Sequence, residues 1–286
     1  MTVSRSFRAR GLARAFPALL AVALAGGAAA APATSAPAAT YADLADLADA
    51  ADLVVHVRVA RQAQVPAERA PGLAPGHARL YIEAQTKALI AGAAPLGESV
   101  SYLADVPLDA KGKVPKLKKR EFLLFSRAVP GKPDQLQLVG THAQLPHTPA
   151  AEARLRPILS ALAGADAPPA ITGVRDALAV PGTLAGESET QVFLSTATGD
   201  PAALTIVRRP GMAPSWGVSF SEIVDQSARP PVRETLAWYR LACFLPATLP
   251  ARANLSSDSA SRAQAADDYA LVMRELGPCP RAFAAQ

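Results

Sequence analysis

Between Leu53 and Leu138 apolar and polar side chains alternate in short runs separated by turn-forming residues. In "DLVVHVRVARQAQV", Val55, Val57 and Val59 stand against His56, Arg58 and Ala60, the period-two signature of a strand with one buried face. The Pro/Gly-rich "PAERAPGLAPGHA" breaks the pattern, and "RLYIEAQTKALI" resumes it with Leu80, Ile82 and Ala84 against Tyr81, Glu83 and Gln85. "ESVSYLADV" alternates again. "REFLLFSRAV" is more continuously apolar, as in a strand covered on both faces, and "DQLQLVGTHAQL" closes the set with Leu136 and Leu138 on one side. A short amphipathic helix precedes these strands: in "TYADLADLADAAD", Thr40 caps a first turn that contains Asp43, and Tyr41, Leu44, Leu47 and Ala51 share a face. One helix and five strands with irregular connections predict a small closed or nearly closed barrel over residues 40–147.

From Thr148 the period changes. Thr148-Pro149 is a favoured cap and first-turn pair, and Leu155, Ile158, Leu159 and Leu162 form a helical stripe that ends at Gly164, with Pro157 expected to kink or restart it. Residues 148–164 therefore read as a connecting helix, and "ADAPPA" reads as a linker. Residues 165–250 predict a smaller α+β domain. Its strands are "TQVFLSTATG", "AALTIVRRPG" and "SWGVSFSEIVD", followed by a helix in "PPVRETLAWYRLACFLP" with Val232, Leu236, Tyr239 and Cys243 on one face. Residues 251–286 supply a polar link and a C-terminal helix in which Tyr269, Val272, Met273 and Leu276 fall at helical spacing. The fold class expected is α+β: an N-terminal five-stranded OB-like β-barrel with a helix, then a smaller α+β domain with a C-terminal helix.

Composition changes the picture at the N-terminus. Arg5, Arg8, Arg10 and Arg14 precede "FPALLAVALAGGAAAA", and Ala28-Ala29-Ala30 offers a small-residue cleavage point, so residues 1–30 read as a cleaved export signal. Residues 31–39, rich in Pro, Ala, Thr and Ser, read as a disordered leader. The formal net charge of +5 contains those four arginines, which leaves +1 for the mature chain. Global attraction to polyanions is not expected at that balance. The mature protein is expected to be soluble and periplasmic or extracellular. Cys243 and Cys279 are the only cysteines, and an even count in an oxidising compartment predicts one disulfide between them.

The order helix, "ADLVVHVRVA", Pro/Gly loop, "ARLYIEAQTKALIAG", "SVSYLADV", "REFLLFSRA" resembles the exported OB-fold modules of the netrin-like, tissue-inhibitor-of-metalloproteinase-like group. Lys87-Ala88-Leu89-Ile90-Ala91-Gly92 and Leu123-Leu124-Phe125 match its strand-ending and strand-core patterns, and the resemblance covers about residues 41–147. It implies an OB-type barrel. Metalloproteinase inhibition in that group uses an N-terminal cysteine that chelates the enzyme's zinc. Here the expected mature start is Ala31-Pro32, and residues 41–147 contain no cysteine, so the inhibitory activity is not implied.

Candidate chemistry is sparse. Lys111, Lys113, Lys116, Lys118, Lys119 and Arg120 in "KGKVPKLKKR" form a weak candidate anion-binding loop, but no aromatic is interleaved to stack bases, and a solvated hairpin is the expectation. His56, His77, His142 and His147 lie in no HExxH or CxxC pattern, so neither a metal nor a cofactor is expected. No GxSxG elbow surrounds Ser219 or Ser221, Ser188 has no assignable base, and the phosphate-loop and dinucleotide fingerprints are missing, which leaves Arg208 and Arg209 as turn residues. Trp216, Trp238 and Tyr239 are expected in a core rather than in a recognition patch. The reading is a non-enzymatic binding or envelope-associated protein whose partner is an unknown protein or envelope component. Two alternatives remain: a periplasmic hydrolase pairing His142 or His147 with Glu222 or Asp225 between the domains, and anion or nucleic-acid binding through residues 111–120.

Overall fold

The computed structural model describes residues 38–93, 95–221 and 229–283. The expected export signal, and all but the end of the expected leader, lie outside the described residues, as do Glu222 and Asp225. The first helix, α1 (Tyr41–Ala50), starts where the pattern placed it, with a reciprocal capping box between Thr40 and Asp43.

Five strands then close into a mixed barrel: β1 (Leu53–Gln64), β2 (His77–Ala91), β3 (Ser99–Pro107), β4 (Glu121–Val129) and β5 (Lys132–Leu138). Their order is β1-β2-β3-β5-β4, and β4 returns to β1. The neighbours are antiparallel except β3 and β5, which run parallel. This is the arrangement expected of an OB-like barrel. Closure has local causes. Register shifts at Val54/Val55, His56/Val57 and Val59/Arg61 bend and twist the long β1–β2 ribbon. At the end of β2, Gly92 sits at φ +112°, where a Cβ would lie 2.5 Å from the Asp52 carbonyl oxygen, so only glycine admits the close approach to β1. The interior is apolar, filled by Val55, Val57, Leu80, Ile82, Phe122 and Leu124. A short strand, β6 (Gln144–Pro146), pairs with Phe122–Leu124, taking the edge of β4 that β5 leaves free.

The outer face of β1 and β4 is covered as well. Val54, Leu123 and Phe125 pack into a second core with α1, with α2 (Pro149–Leu162) and with an antiparallel sheet. That sheet has the order β10-β9-β8-β7, built from β7 (Ile171–Pro181), β8 (Ser188–Thr196), β9 (Ala203–Arg208) and β10 (Ser215–Ser219). Two helices complete the layer, α3 (Leu236–Ala242) and α4 (Ser259–Leu276). The "ADAPPA" segment separates the two sheets, while their shared core is continuous and residues 38–283 lie in one compact unit.

Three local expectations are corrected. β7 was not anticipated, because Gly173 and Asp176 interrupt its alternation where the pairing with β8 shifts register. The prolines at 230 and 231 do not open α3; its cap is Thr235, whose hydroxyl accepts from the Trp238 N–H, and Val232 stays 74% exposed outside the helix. Pro157 neither ends nor restarts α2, which is continuous through it.

The C-terminal segment is strapped to the first helix. Cys243 and Cys279 form the expected disulfide, 36 positions apart in sequence with Cα atoms 5.2 Å apart. Just beyond it, the Arg281 guanidinium donates to Asp46 at 2.7 Å, and the Ala282 and Phe283 N–H groups donate to Asp43 at 2.9 and 3.2 Å. Burial alone would raise the Asp43 carboxyl. The hydrogen bonds from Thr40, Ala282 and Phe283 outweigh it and hold the group below the ordinary carboxylate range. A depressed carboxyl contributes stability above the unfolded value of about 4 and loses it as pH falls through the lower folded value. Asp43→Asn is therefore expected to be less stable than wild type at neutral pH, with the gap closing below about pH 4. Urea midpoints measured across pH check this; a gap that stays constant into acid would contradict it. No helix among the described residues is long and apolar enough to cross a membrane.

Candidate functional site

The barrel is most open between β3 and β5, where pairing is confined to Ser101 with Gln135 and Tyr102 with Leu136. A groove of about 640 Å³ follows this seam. Cross-strand register sets its floor: Arg79 lies opposite Asp105, and Tyr81 lies opposite Leu103, with all four side chains on the outer face of β2 and β3. Tyr81 is 42% exposed and Leu103 is 51% exposed, which leaves an apolar platform in contact with solvent. Arg79 is not available as a free cation. Its Nε and Nη2 donate to the two oxygens of Asp105 at 2.7 and 2.8 Å, and that pairing raises its already high basicity. Gln135 and Gln137 from β5 add amide groups to the opposite wall.

The basic run lies elsewhere and is not a hairpin tip. β3 and β4 are sequence neighbours but β5 stands between them in the barrel, so residues 108–120 must cross the barrel end. Leu117 is buried in the barrel core, Gln62 accepts from the Leu117 N–H at 2.6 Å and donates to the Pro115 carbonyl at 2.9 Å, and the Lys119 N–H donates to Val59. Asp109 receives the N–H groups of Lys111 and Lys113, each at 2.8 Å. Lys111, Lys113, Lys118, Lys119 and Arg120 remain exposed, and so does Lys116. The run is a crossover pinned by an apolar plug, and its cations are solvated on the outside.

A third cluster was not anticipated. His56 on β1 and Glu121 at the start of β4 are brought together by the antiparallel β1–β4 register, and His147 follows β6, with its N–H bound to the Glu121 carbonyl. His56 Nε2 lies 3.0 Å from Glu121 Oε2, and His147 Nδ1 lies 3.8 Å from the same oxygen. The two imidazoles stack with centroids 3.7 Å apart and planes 15° from parallel. On the far side of its ring, His147 Nε2 lies 2.8 Å from Glu152 Oε2 in the first turn of α2, and Glu152 also accepts from Arg156. The Glu121 carboxyl is held below its ordinary range by the hydrogen bond to His56 first, then by the neighbouring His56, His147 and Arg58 charges. Glu152 is lowered by its bonds to His147 and Arg156. The donor atoms of His56, Glu121 and His147 all lie within 4.8 Å of one another.

The remaining candidates are structural. His142 stacks on Phe283 with ring centroids 4.6 Å apart, and His77 bonds the Pro75 carbonyl. Arg208 is not a turn residue. It closes β9 and pairs with the fully buried Asp268, which also accepts from Thr190. Trp216 and Trp238 are buried, donating to Glu275 and to the Leu276 carbonyl, and the buried Tyr239 donates to Asp46. Ser188 opens β8 as an ordinary strand residue. Comparison with protein-family models and with characterised proteins returns no match for this chain.

Proposed function

We propose that the chain is an exported, non-enzymatic binding protein that recognises a hydroxyl-rich, uncharged ligand of the oligosaccharide type in the β3–β5 groove. The observation that carries this reading is the exposed Tyr81–Leu103 pair on the floor of a groove walled by the Gln135 and Gln137 amides. Barrels of this topology take oligonucleotides and oligosaccharides on the face of strands 2 and 3. Charge selects between them. The groove's cation is already paired with Asp105, and none of residues 111–120 lines the groove, so a polyanion gains little there. An aromatic face beside amides suits the apolar face and the hydroxyls of a sugar ring. Export is supported by the N-terminal sequence and by the disulfide, and the resemblance to netrin-like modules fits the same reading without its inhibitory device.

Retention of the purified protein on a panel of immobilised neutral envelope polysaccharides tests the proposal. The wild type is expected to be retained by at least one of them, and Tyr81→Ala to lose roughly fivefold or more in affinity, on the scale of the roughly 1 to 3 kcal/mol that an aromatic platform contributes to a base stacked on it. Retention that survives both Tyr81→Ala and Gln137→Ala, or no retention by any polysaccharide, overturns it.

A further inference from the structure

We propose that His56, Glu121 and His147 form a site for a divalent first-row transition-metal ion of the Zn²⁺ type, with Glu152 as the outer carboxylate that orients His147. The site lies on the flank of β1, β4 and β6, away from the β2–β3–β5 groove, and the inference is independent of what that groove binds.

The donor set is the first argument. Two imidazole nitrogens and one carboxylate oxygen are the ligands of three-coordinate protein sites that leave a fourth position open. A tetrahedral ion with bonds of about 2.0 to 2.1 Å needs its donors about 3.3 Å apart. The separations of 3.0 and 3.8 Å from the shared Glu121 oxygen bracket that value, and with all three donor atoms within 4.8 Å of one another side-chain rotation that opens the imidazole stack brings them onto one ion.

The orientation of His147 is the second. Its Nε2 faces Glu152 at 2.8 Å, so Glu152 favours the tautomer that carries its proton there and leaves Nδ1, 3.8 Å from Glu121, unprotonated. A carboxylate on the far nitrogen is the usual support of a metal-bound imidazole. The rings stack nearly parallel, so their in-plane lone pairs run side by side and an ion is held only when one imidazole turns out of the stack; Glu121, 38% exposed, leaves room at the water-facing side for that turn.

Charge decides which ions fit. Arg58, the cross-strand partner of Glu121, and Arg156, paired with Glu152, offset the two carboxylates. A site without net negative charge holds an ion through imidazole donation rather than attraction. That favours Zn²⁺ and its transition-metal neighbours over Ca²⁺ and Mg²⁺, which take oxygen ligands.

The test uses the intact protein and needs no activity. Titration of the wild type with Zn²⁺, followed through the side-chain ¹⁵N resonances of its four histidines, should move His56 and His147 with one ion per chain and leave His77 and His142 in place. Calorimetry should show the same single site, lost in His56→Ala and in Glu121→Gln, and weakened about 10- to 100-fold in Glu152→Gln. Excess Mg²⁺ or Ca²⁺ should not compete. Unmoved His56 and His147 resonances, equal responses from all four histidines, or unchanged affinity in a folded Glu121→Gln protein would each overturn the proposal and leave a hydrogen-bonded histidine stack. The wild-type titration decides the matter even if a variant fails to fold.

Discussion

Replacing Cys243 and Cys279 together by serine is expected to lower the stability of the protein by roughly 3 to 4 kcal/mol, because the bridge closes a long loop and removes that much chain entropy from the unfolded ensemble. For a chain of this size the loss corresponds to a fall in the melting temperature of about 10 °C, read by comparing the double variant with the oxidised wild type. The effect has a defined location. Residue 279 precedes the strap in which Arg281, Ala282 and Phe283 engage Asp46 and Asp43, and the other sulfur lies at the end of α3, whose Arg240 pairs with Asp49 on α1. Without the covalent tie, the strap depends on hydrogen bonds, one ion pair and the packing of Phe283 against His142 at the margin of the fold. Hydrogen exchange at the Ala282 and Phe283 amides should therefore accelerate more than exchange in β1 or β4. A double variant that melts within a degree or two of wild type would show that the non-covalent strap alone restrains the C-terminus.

How far the sequence foretells this arrangement depends on the range of the interaction that decides each feature. The barrel was legible because Val55, Val57, Leu80, Ile82 and Leu136 point inward at a period of two, and burial of one face fixes both element and orientation. The disulfide was legible because two cysteines allow one pairing. β7 was missed since Gly173 and Asp176 break its alternation at the register shifts that let it pair. The lysine run was misplaced for a topological reason. A hairpin assumes that sequence-adjacent strands pair, and β5 comes between β3 and β4. The histidine cluster was beyond reach for the same kind of reason: His56 and Glu121 are 65 positions apart and meet through β1–β4 register. The local hint was that His56 faces outward among valines and that His147 stands next to the Thr148 cap, with Glu152 one helical turn further on. Neither hint identifies Glu121.

The outer face of the barrel gives a physical reason to expect one cooperative unit rather than two beads on the "ADAPPA" linker. Phe125 on β4 is fully buried, yet it points away from the barrel interior and into the core shared with α1, α2 and the second sheet. Phe125→Ala is expected to destabilise the protein by about 3 to 5 kcal/mol, the cost of a large buried cavity. The two tryptophans report on the other half: Trp216 on β10 and Trp238 on α3 are both buried in that same core. If the core couples the halves, urea unfolding of Phe125→Ala followed by tryptophan fluorescence and by far-ultraviolet circular dichroism should give coincident transitions, both shifted from wild type by the same amount. A fluorescence transition that stays at the wild-type midpoint while the dichroism moves would mean that the second sheet keeps its own stability. Leu124→Ala makes the contrast sharper. That neighbour faces the barrel interior, so its loss reaches the tryptophans only if the barrel cannot unfold without taking the second layer with it.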